Sequence, residues 1–173
     1  MATIEAVLGD ITTERTDAIV NAANSALLGG GGVDGAIHAA AGPLLLQECR
    51  QLRETRLRDG LAVGDAVATA AGDLPARWVI HTVGPDRRRG QTDPALLASC
   101  FTRSLAVARD LGATSIAFPA VSAGVFGWDS AEVARIAVDA VTRDLAEHVG
   151  LDLVRFVLFS RHTLANFEAA LAS

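Results

Sequence analysis

Apolar residues cluster in six short runs along the chain, and each run has the length of a buried strand. The predicted strands cover residues 4–8, 18–21, 66–70, 78–82, 115–118 and 153–159. Short apolar runs bounded by turn residues are typical of strands in the interior of a sheet. The chain is therefore expected to be built around a sheet.

Between several of these runs, apolar residues recur every three or four positions, which indicates amphipathic helices. Helices are predicted from residue 34 to 41, at 43–58, from Pro94, from about residue 129 and at 164–171. Asp93 before Pro94 is a good helix start, and Asp129 with Glu132 three residues later resembles a capping box.

Strands that alternate with helices favour an α/β sandwich around a mostly parallel sheet. The run at 66–70 is expected to add antiparallel pairing. At 173 residues the chain suits a single domain with a full core, which we predict over residues 1–173. The net charge of −5 argues against broad nucleic-acid binding, although it is compatible with a local basic patch.

We expect a protein of the bacterial cytoplasm that does not bind membranes. The N-terminus lacks the pattern of a signal peptide, and no apolar run is long enough to span a bilayer. Cys49 and Cys100 lie far apart in helical patterns, as expected for core residues in a reducing compartment. All fifteen basic residues are arginine, which we interpret as the bias of a GC-rich genome. Without lysine, the chain cannot be a P-loop nucleoside triphosphatase.

The segment that follows the second strand combines polar side chains with glycines. Asn21 and Asn24 close the strand, residues 29–32 are all glycine, and Asp34 stands where a helix begins. Glycines leave backbone N–H groups open to a ligand, and a helix N-terminus attracts anions, so this loop is a candidate phosphate site. A mobile surface loop is the alternative. Asp34 is compatible with two roles, as the N-cap of the helix or as a catalytic carboxylate.

A second glycine loop follows the strand that ends at Phe118 and contains residues 122–127. Loops at the carboxyl ends of neighbouring strands converge in α/β sheets, so the pair could hold a diphosphate from both sides. Gly30, Gly32 and Gly35 also have the spacing of a dinucleotide-binding fingerprint. In that fingerprint the first glycine follows the strand directly and an acidic residue lies about 20 positions further on. Neither condition is met here, so we rank an NAD-dependent oxidoreductase below the alternatives.

The chain resembles the macrodomain family, and within it the MacroD-type ADP-ribosyl hydrolases and O-acetyl-ADP-ribose deacetylases. The matching segments are Gly9-Asp10-Ile11-Thr12, Val20-Asn21-Ala22-Ala23-Asn24, and residues 29–38, 79–85 and 118–127. They run in family order and the resemblance covers nearly the whole chain. It implies a three-layer α/β/α sandwich with a mixed, mostly parallel central sheet, and a cleft for ADP-ribose.

The resemblance also implies a role for individual residues. Asp10 would accept a hydrogen bond from the adenine amino group beside the Ile11 backbone, and Phe159 would stack on the ring. Without the resemblance, Asp10 would pass for a turn residue and Phe159 for a core residue. Backbone N–H groups for the diphosphate would come from Gly32, Val33, Ser122, Ala123, Gly124, Val125 and Phe126. Phe126 would also shape the distal ribose pocket, where Asn24 would hold a hydroxyl and Asp34 would activate water near the anomeric carbon.

The implied reaction is hydrolysis of an ester on the distal ribose, without metal or cofactor. The implied substrates are mono-ADP-ribose on Glu or Asp side chains of proteins, and O-acetyl-ADP-ribose. Two alternatives stay open: a reader that binds ADP-ribose without cleaving it, and a hydrolase of ADP-ribosylated nucleic acid. The four histidines and two cysteines show no metal-ligand spacing, and His81 is interpreted as a hydrogen-bonded core residue.

Three positions depart from the family pattern. Asp129 follows Trp128 where proline is usual, Val63 opens a segment that usually starts with threonine, and Ala123 replaces a common threonine. The run Arg87-Arg88-Arg89-Gly90 is interpreted either as a solvated loop or as a contact with the carrier of the ADP-ribose.

Overall fold

A computed structural model describes residues 2–173, which form six strands and five α-helices. The strands are β1 (Thr3–Leu8), β2 (Ala18–Ala23), β3 (Ala66–Ala70), β4 (Trp78–Val83), β5 (Ser115–Phe118) and β6 (Leu153–Leu158). The helices are α1 (Gly32–Ala41), α2 (Pro43–Glu54), α3 (Pro94–Asp110), α4 (Ser130–Glu147) and α5 (Arg161–Ala172). Short 3-10 turns lie at Ile11–Thr13 and Arg87–Arg89.

All six strands form one sheet in the order β1-β6-β5-β2-β4-β3. Every pair is parallel except β3 and β4, so the predicted mixed, mostly parallel sheet is confirmed. The carboxyl ends of the five parallel strands lie at one edge of the sheet, where the connecting loops can meet around a ligand.

Helices cover both faces of this sheet and complete the three predicted layers. On one face α3, α4 and α5 pack against alternate strand residues such as Val20 and Ile116. On the other face α1 and α2 pack against Ile19 and Val79. The first core contains four phenylalanine rings with neighbouring centroids 4.9 to 6.3 Å apart. These packed layers hold the strand ends in fixed positions.

Several predicted boundaries shift by a few residues. Helix α1 starts two residues early, at Gly32, and α5 starts at Arg161 because the Ser160 hydroxyl caps it. Helix α2 ends at Glu54 instead of residue 58. The Arg53 guanidinium donates to the carbonyl oxygens of Leu57 and Arg58, which fixes that segment as a turn.

The predicted capping box at the start of α4 is wrong. Asp129 is the N-cap residue, but its side chain accepts no capping hydrogen bond. Glu132 points instead to Arg87, whose Nη2 donates to Glu132 Oε2 at 2.7 Å. A partner from another part of the chain has therefore replaced the local contact that the sequence suggested.

Cys49 and Cys100 are buried free thiols, as predicted, and burial raises the pKa of each to about 11. Thiols with so high a pKa are poor nucleophiles at neutral pH, which agrees with a packing role. Within residues 2–173, no helix combines the length and the apolar character needed to cross a membrane.

Candidate functional site

A cleft of about 610 Å³ lies at the carboxyl ends of the parallel strands. Both glycine loops line it, so the predicted convergence of the two loops is confirmed. The lining also includes all twelve residues predicted as ligand contacts: Asp10, Ile11, Asn24, Gly32, Val33, Asp34, Ser122, Ala123, Gly124, Val125, Phe126 and Phe159. The cleft spans the sheet from β1 to β2, which are three strand spacings apart, or about 14 Å.

Asn24 organises the loop that follows β2. Its Nδ2 donates to the carbonyl oxygen of Gly29 at 3.1 Å, and its Oδ1 accepts from the backbone N–H of Leu27 at 3.2 Å. Leu27 adopts a left-handed backbone (φ 61°) and buries its side chain in the core. The loop is therefore tied down at several points, which contradicts the alternative of a mobile surface loop.

Asn24 and Asp34 face the same small space beside Gly30. A Cβ atom on Gly30 would lie 3.1 Å from Asp34 Oδ2 and 3.4 Å from Asn24 Nδ2. Even a methyl group would fill the gap between them. The two residues predicted as catalytic are thus brought together, with Gly30 keeping the space open; Gly30 itself was not predicted as a site residue.

The interpretation of Asp34 as an N-cap is wrong. Gly31 is the N-cap residue of α1, and Asp34 lies inside the first helical turn. Its side chain is 7% exposed and turns inward toward Asn21 at the end of the sheet. A carboxylate in the first turn interacts favourably with the helix dipole, but this position leaves it available for chemistry.

Two side chains contact the buried Asp34 carboxylate. Asn21 Nδ2 donates to Asp34 Oδ1 at 2.8 Å, and His38 Nε2 lies 3.4 Å from the same oxygen. Burial raises the pKa of Asp34, while the Asn21 hydrogen bond and the His38 charge partly oppose that rise. Oδ2 accepts no hydrogen bond from residues 2–173, so one oxygen of a carboxylate with raised basicity faces the cleft.

Asn21 is itself held by a second buried residue. Its Nδ2 also lies 3.2 Å from His81 Nδ1, and His81 Nε2 lies 3.0 Å from Thr69 Oγ1. Because the amide nitrogen only donates, His81 accepts at Nδ1 and carries its proton on Nε2. Burial lowers the pKa of His81 to about 3, so the ring is neutral. The predicted role of His81 as a hydrogen-bonded core residue is confirmed.

The series of hydrogen bonds that links His81, Asn21 and Asp34 was not recognised from the sequence as part of the site. Asn21 and His81 are register partners on β2 and β4, and strand pairing is not visible in a sequence. The contact between His38 and Asp34 could have been predicted, because residues four apart on a helix lie on the same face.

Replacing Asp34 by asparagine is expected to stabilise the fold at neutral pH. The folded-state pKa of Asp34 lies above its usual value of 3.8. Between pH 3.8 and the folded-state pKa, Asp34 therefore binds more protons in the native state than in the unfolded state. The contribution of Asp34 to the stability of the fold therefore falls as pH rises through this range. The melting temperature of Asp34→Asn should exceed that of the wild type at neutral pH, and the gap should close toward pH 3.8. A less stable variant at neutral pH would contradict the unfavourable burial of this charge.

The loop after β5 is held in a strained form. Ser122 has a left-handed backbone (φ 68°), and its Oγ donates to the carbonyl oxygen of Pro85 at 2.8 Å. A Cβ atom on Gly84 would lie 2.1 Å from that hydroxyl oxygen, so only glycine fits there. Strain at a ligand-binding loop persists only where the surroundings impose it. The exposed segment of Gly124 and Val125 then borders the cleft opposite α1.

The far end of the cleft is formed after β1 and β6. The Asp10 carboxylate accepts from the N–H and hydroxyl of Thr12 at 2.9 and 2.7 Å, so it does cap a turn, and Ile11 is buried beside it. Phe159 follows the last residue of β6 and is 87% exposed. It is therefore no core residue, and an exposed ring at the edge of a cleft is available for stacking.

The arginine turn, Arg87–Arg89, is only partly solvated. The Arg87 guanidinium lies 4.1 Å from the centre of the buried Trp128 ring and pairs with Glu132. Arg88 pairs with Asp86. A solvated run is therefore the wrong interpretation for Arg87, and Arg89 is exposed with no ion-pair partner within residues 2–173.

No group of three histidine, cysteine or acidic residues in the described chain is placed to hold a metal ion. The groups available for chemistry at the site are carboxylates, side-chain amides, backbone N–H groups and the His38 imidazole beside Asp34.

The sequence family described as Macro domain matches residues 20–137, more than half of the chain. The chain belongs to the macrodomain family. This confirms the resemblance drawn from the sequence segments, and the matched range contains both glycine loops.

Similar proteins cover almost the whole macrodomain. A Streptomyces griseus Macro domain-containing protein is 55% identical over 98% of this chain and 94% of its own length. A Klebsiella pneumoniae protein named O-acetyl-ADP-ribose deacetylase is 51% identical over 98% of this chain and 96% of its own. The structure of a Trypanosoma brucei macrodomain in complex with ADP-ribose matches with a TM-score of 0.89 and 40% identity, over 97% of this chain and 68% of that one.

Proposed function

We propose that this macrodomain binds ADP-ribose in the cleft and hydrolyses an ester on the distal ribose. The substrates would be O-acetyl-ADP-ribose and proteins that carry mono-ADP-ribose on Glu or Asp side chains. Support comes from the relative named O-acetyl-ADP-ribose deacetylase and from the related macrodomain in complex with ADP-ribose.

The cleft offers complementary groups along its length for this ligand. At the β1 and β6 end, Asp10 would accept from the adenine amino group and Phe159 would stack on the ring. In the middle, the N-terminus of α1 faces the loop at residues 122–126, and backbone N–H groups from both would bind the diphosphate. At the β2 end, Asn24 would hold a hydroxyl of the distal ribose.

The observation that carries the proposal is the placement of Asp34. Oδ2 of Asp34, which has no hydrogen-bond partner among residues 2–173, faces the space beside Asn24, and burial raises the pKa of the Asp34 carboxyl group. A carboxylate with raised pKa is a better general base than a solvated one. Asp34 would take a proton from water as the water oxygen attacks the ester. The bond between the acyl carbon and the ribose oxygen breaks, and Asp34 would return the proton to that departing oxygen. The products are ADP-ribose and a carboxylic acid that contains the oxygen of the water.

Asp34 also distinguishes a hydrolase from a reader. A module that only binds a diphosphate gains nothing from a buried negative charge near the phosphates, because like charges repel. The fold nevertheless keeps Asp34 buried and fixes it through Asn21 and His81. A stability cost retained at a site is typical of function, so we favour hydrolysis over the reader. The net charge of −5 disfavours the alternative of a nucleic-acid substrate.

A panel of linkages tests the proposal. We expect free ADP-ribose to be released from O-acetyl-ADP-ribose and from Glu-linked protein, and not from Ser-linked or Arg-linked protein, which lack an ester. The rates should be the same in excess chelator, because the proposed base is a protein carboxylate. Cleavage of the Ser or Arg linkages alone would overturn the ester assignment. If no linkage is cleaved, the protein is a reader that binds ADP-ribose without hydrolysing it.

A further inference from the structure

A second groove of about 640 Å³ opens beside the catalytic end of the cleft. It is lined by residues 24–26 of the loop after β2, and by Arg88 and Arg89 of the arginine turn with the neighbouring Asp86 and Gln91. Val83 and Gly84, at the end of β4, form part of the lining. Asn24, Gly84 and Phe126 line the cleft as well as the groove, so the two spaces meet at these residues.

We propose that this groove binds the polypeptide that carries the ADP-ribose, and that Arg89 selects chains with acidic residues next to the modified side chain. The inference rests on the proposed function, since the groove would hold the acyl side of the ester that Asp34 helps to cleave. The ligand of the groove would be an acidic peptide.

The first support is continuity with the site. Asn24 would contact the distal ribose, and the same residue lines the groove. The group esterified to that ribose must therefore leave the cleft close to Asn24. An acetyl group is too small to extend beyond this point, whereas a protein side chain continues into a backbone that needs a surface to lie on. The groove supplies that surface at the correct end of the cleft.

The second support is that the groove is rigidly built. The Asp86 carboxylate accepts from the backbone N–H of Arg88 and from its Nε and Nη2, at 3.0 to 3.1 Å. The backbone N–H of Asp86 donates to Gln91 Oε1 at 2.7 Å. The backbone N–H of Arg87 donates to the carbonyl oxygen of Phe126 at 2.8 Å, which joins the arginine turn to the second glycine loop. A pre-formed surface loses less conformational entropy on binding.

The third support is the distribution of charge around the arginine turn. Arg87 is neutralised by Glu132 and Arg88 by Asp86. Arg89 is exposed, lines the groove and pairs with no carboxylate of residues 2–173. The Arg89 guanidinium in the groove would attract a carboxylate of the partner. Nucleic acid would need several free cations to neutralise consecutive phosphates, so we favour a peptide.

Arg89→Ala tests the proposal with three substrates. The first is a synthetic peptide with ADP-ribose on one glutamate flanked by aspartates, the second has serines as flanks, and the third is O-acetyl-ADP-ribose. We expect kcat/KM for the aspartate-flanked peptide to fall about threefold to fivefold, the effect of one exposed ion pair. The other two rates should not change, and the loss should shrink at high salt.

Arg135→Ala is the matched control, because Arg135 is exposed on α4 and lines neither the groove nor the cleft. It should leave all three rates unchanged. Equal effects of Arg89→Ala on all substrates, or no effect on any, would overturn the proposal. An ADP-ribosylated DNA end is added as a fourth substrate; a loss of activity confined to it would also overturn the proposal, since the groove would then hold nucleic acid. A wild-type protein that cleaves no substrate contradicts the proposed function itself, which separates the two failures.

Discussion

Asp34→Asn is expected to lower turnover of O-acetyl-ADP-ribose at least about 100-fold, the usual cost of losing a general base. The asparagine oxygen can still accept the hydrogen bond from Asn21, so the geometry of the site is retained. ADP-ribose affinity should stay within about tenfold of the wild type, because removing a negative charge near two phosphates offsets a lost contact. Steady-state kinetics and calorimetry on the same preparation measure the two effects.

The asparagine variant is a clean test because Gly31, and not Asp34, caps α1. Asp34→Ala should lose as much turnover, and the two variants together separate loss of the base from loss of the Asn21 contact. If Asp34→Asn retains full activity, water must be activated elsewhere, most simply by a phosphate oxygen of the substrate.

Gly124→Glu is expected to weaken ADP-ribose binding by at least about 100-fold. Two like charges 4 Å apart repel by about 4 kcal/mol at an effective dielectric constant of about 20, and the new carboxylate would lie where the diphosphate is proposed to bind. A Cβ atom at this position meets nothing within 4 Å, and the backbone does not have the positive φ that disfavours side chains. Calorimetry gives the affinity, and a thermal melt shows whether folding is intact.

Gly124→Gln is the matched control, because it adds nearly the same volume without the charge. It should weaken binding much less than Gly124→Glu. Gly32→Glu is a poorer test, since Gly32 has a positive φ (57°) and any side chain there strains the helix start. Wild-type affinity in a folded Gly124→Glu protein would mean that the diphosphate binds elsewhere.

The layered fold was predictable because it depends on local patterns. Apolar runs located all six strands to within a few residues, and helical periodicity located the five helices between them. Contacts between distant segments were not predictable in this way. Glu132 pairs with Arg87 across 45 positions instead of capping its own helix, and nothing in the local spacing indicates that choice.

In the candidate site, too, local features were predictable and contacts between distant residues were not. The two glycine loops were visible because glycines beside a strand end leave backbone N–H groups open to a ligand, and they do line one cleft. The support for Asp34 was not visible, since Asn21 meets His81 only when β2 pairs with β4 in register. The role of Asp34 was also ambiguous in the sequence. The structure excludes the N-cap role, because α1 begins at Gly32 and places the Asp34 carboxylate inside the first turn.

Single-turnover hydrolysis of O-acetyl-ADP-ribose, with enzyme in excess over substrate, tests the central claim most directly. This measurement isolates binding and chemistry from product release. We predict that the wild-type macrodomain converts all bound substrate to ADP-ribose and acetate, whereas Asp34→Asn binds the substrate and converts it at least about 100-fold more slowly. Wild-type protein that binds O-acetyl-ADP-ribose and leaves it intact would contradict the account.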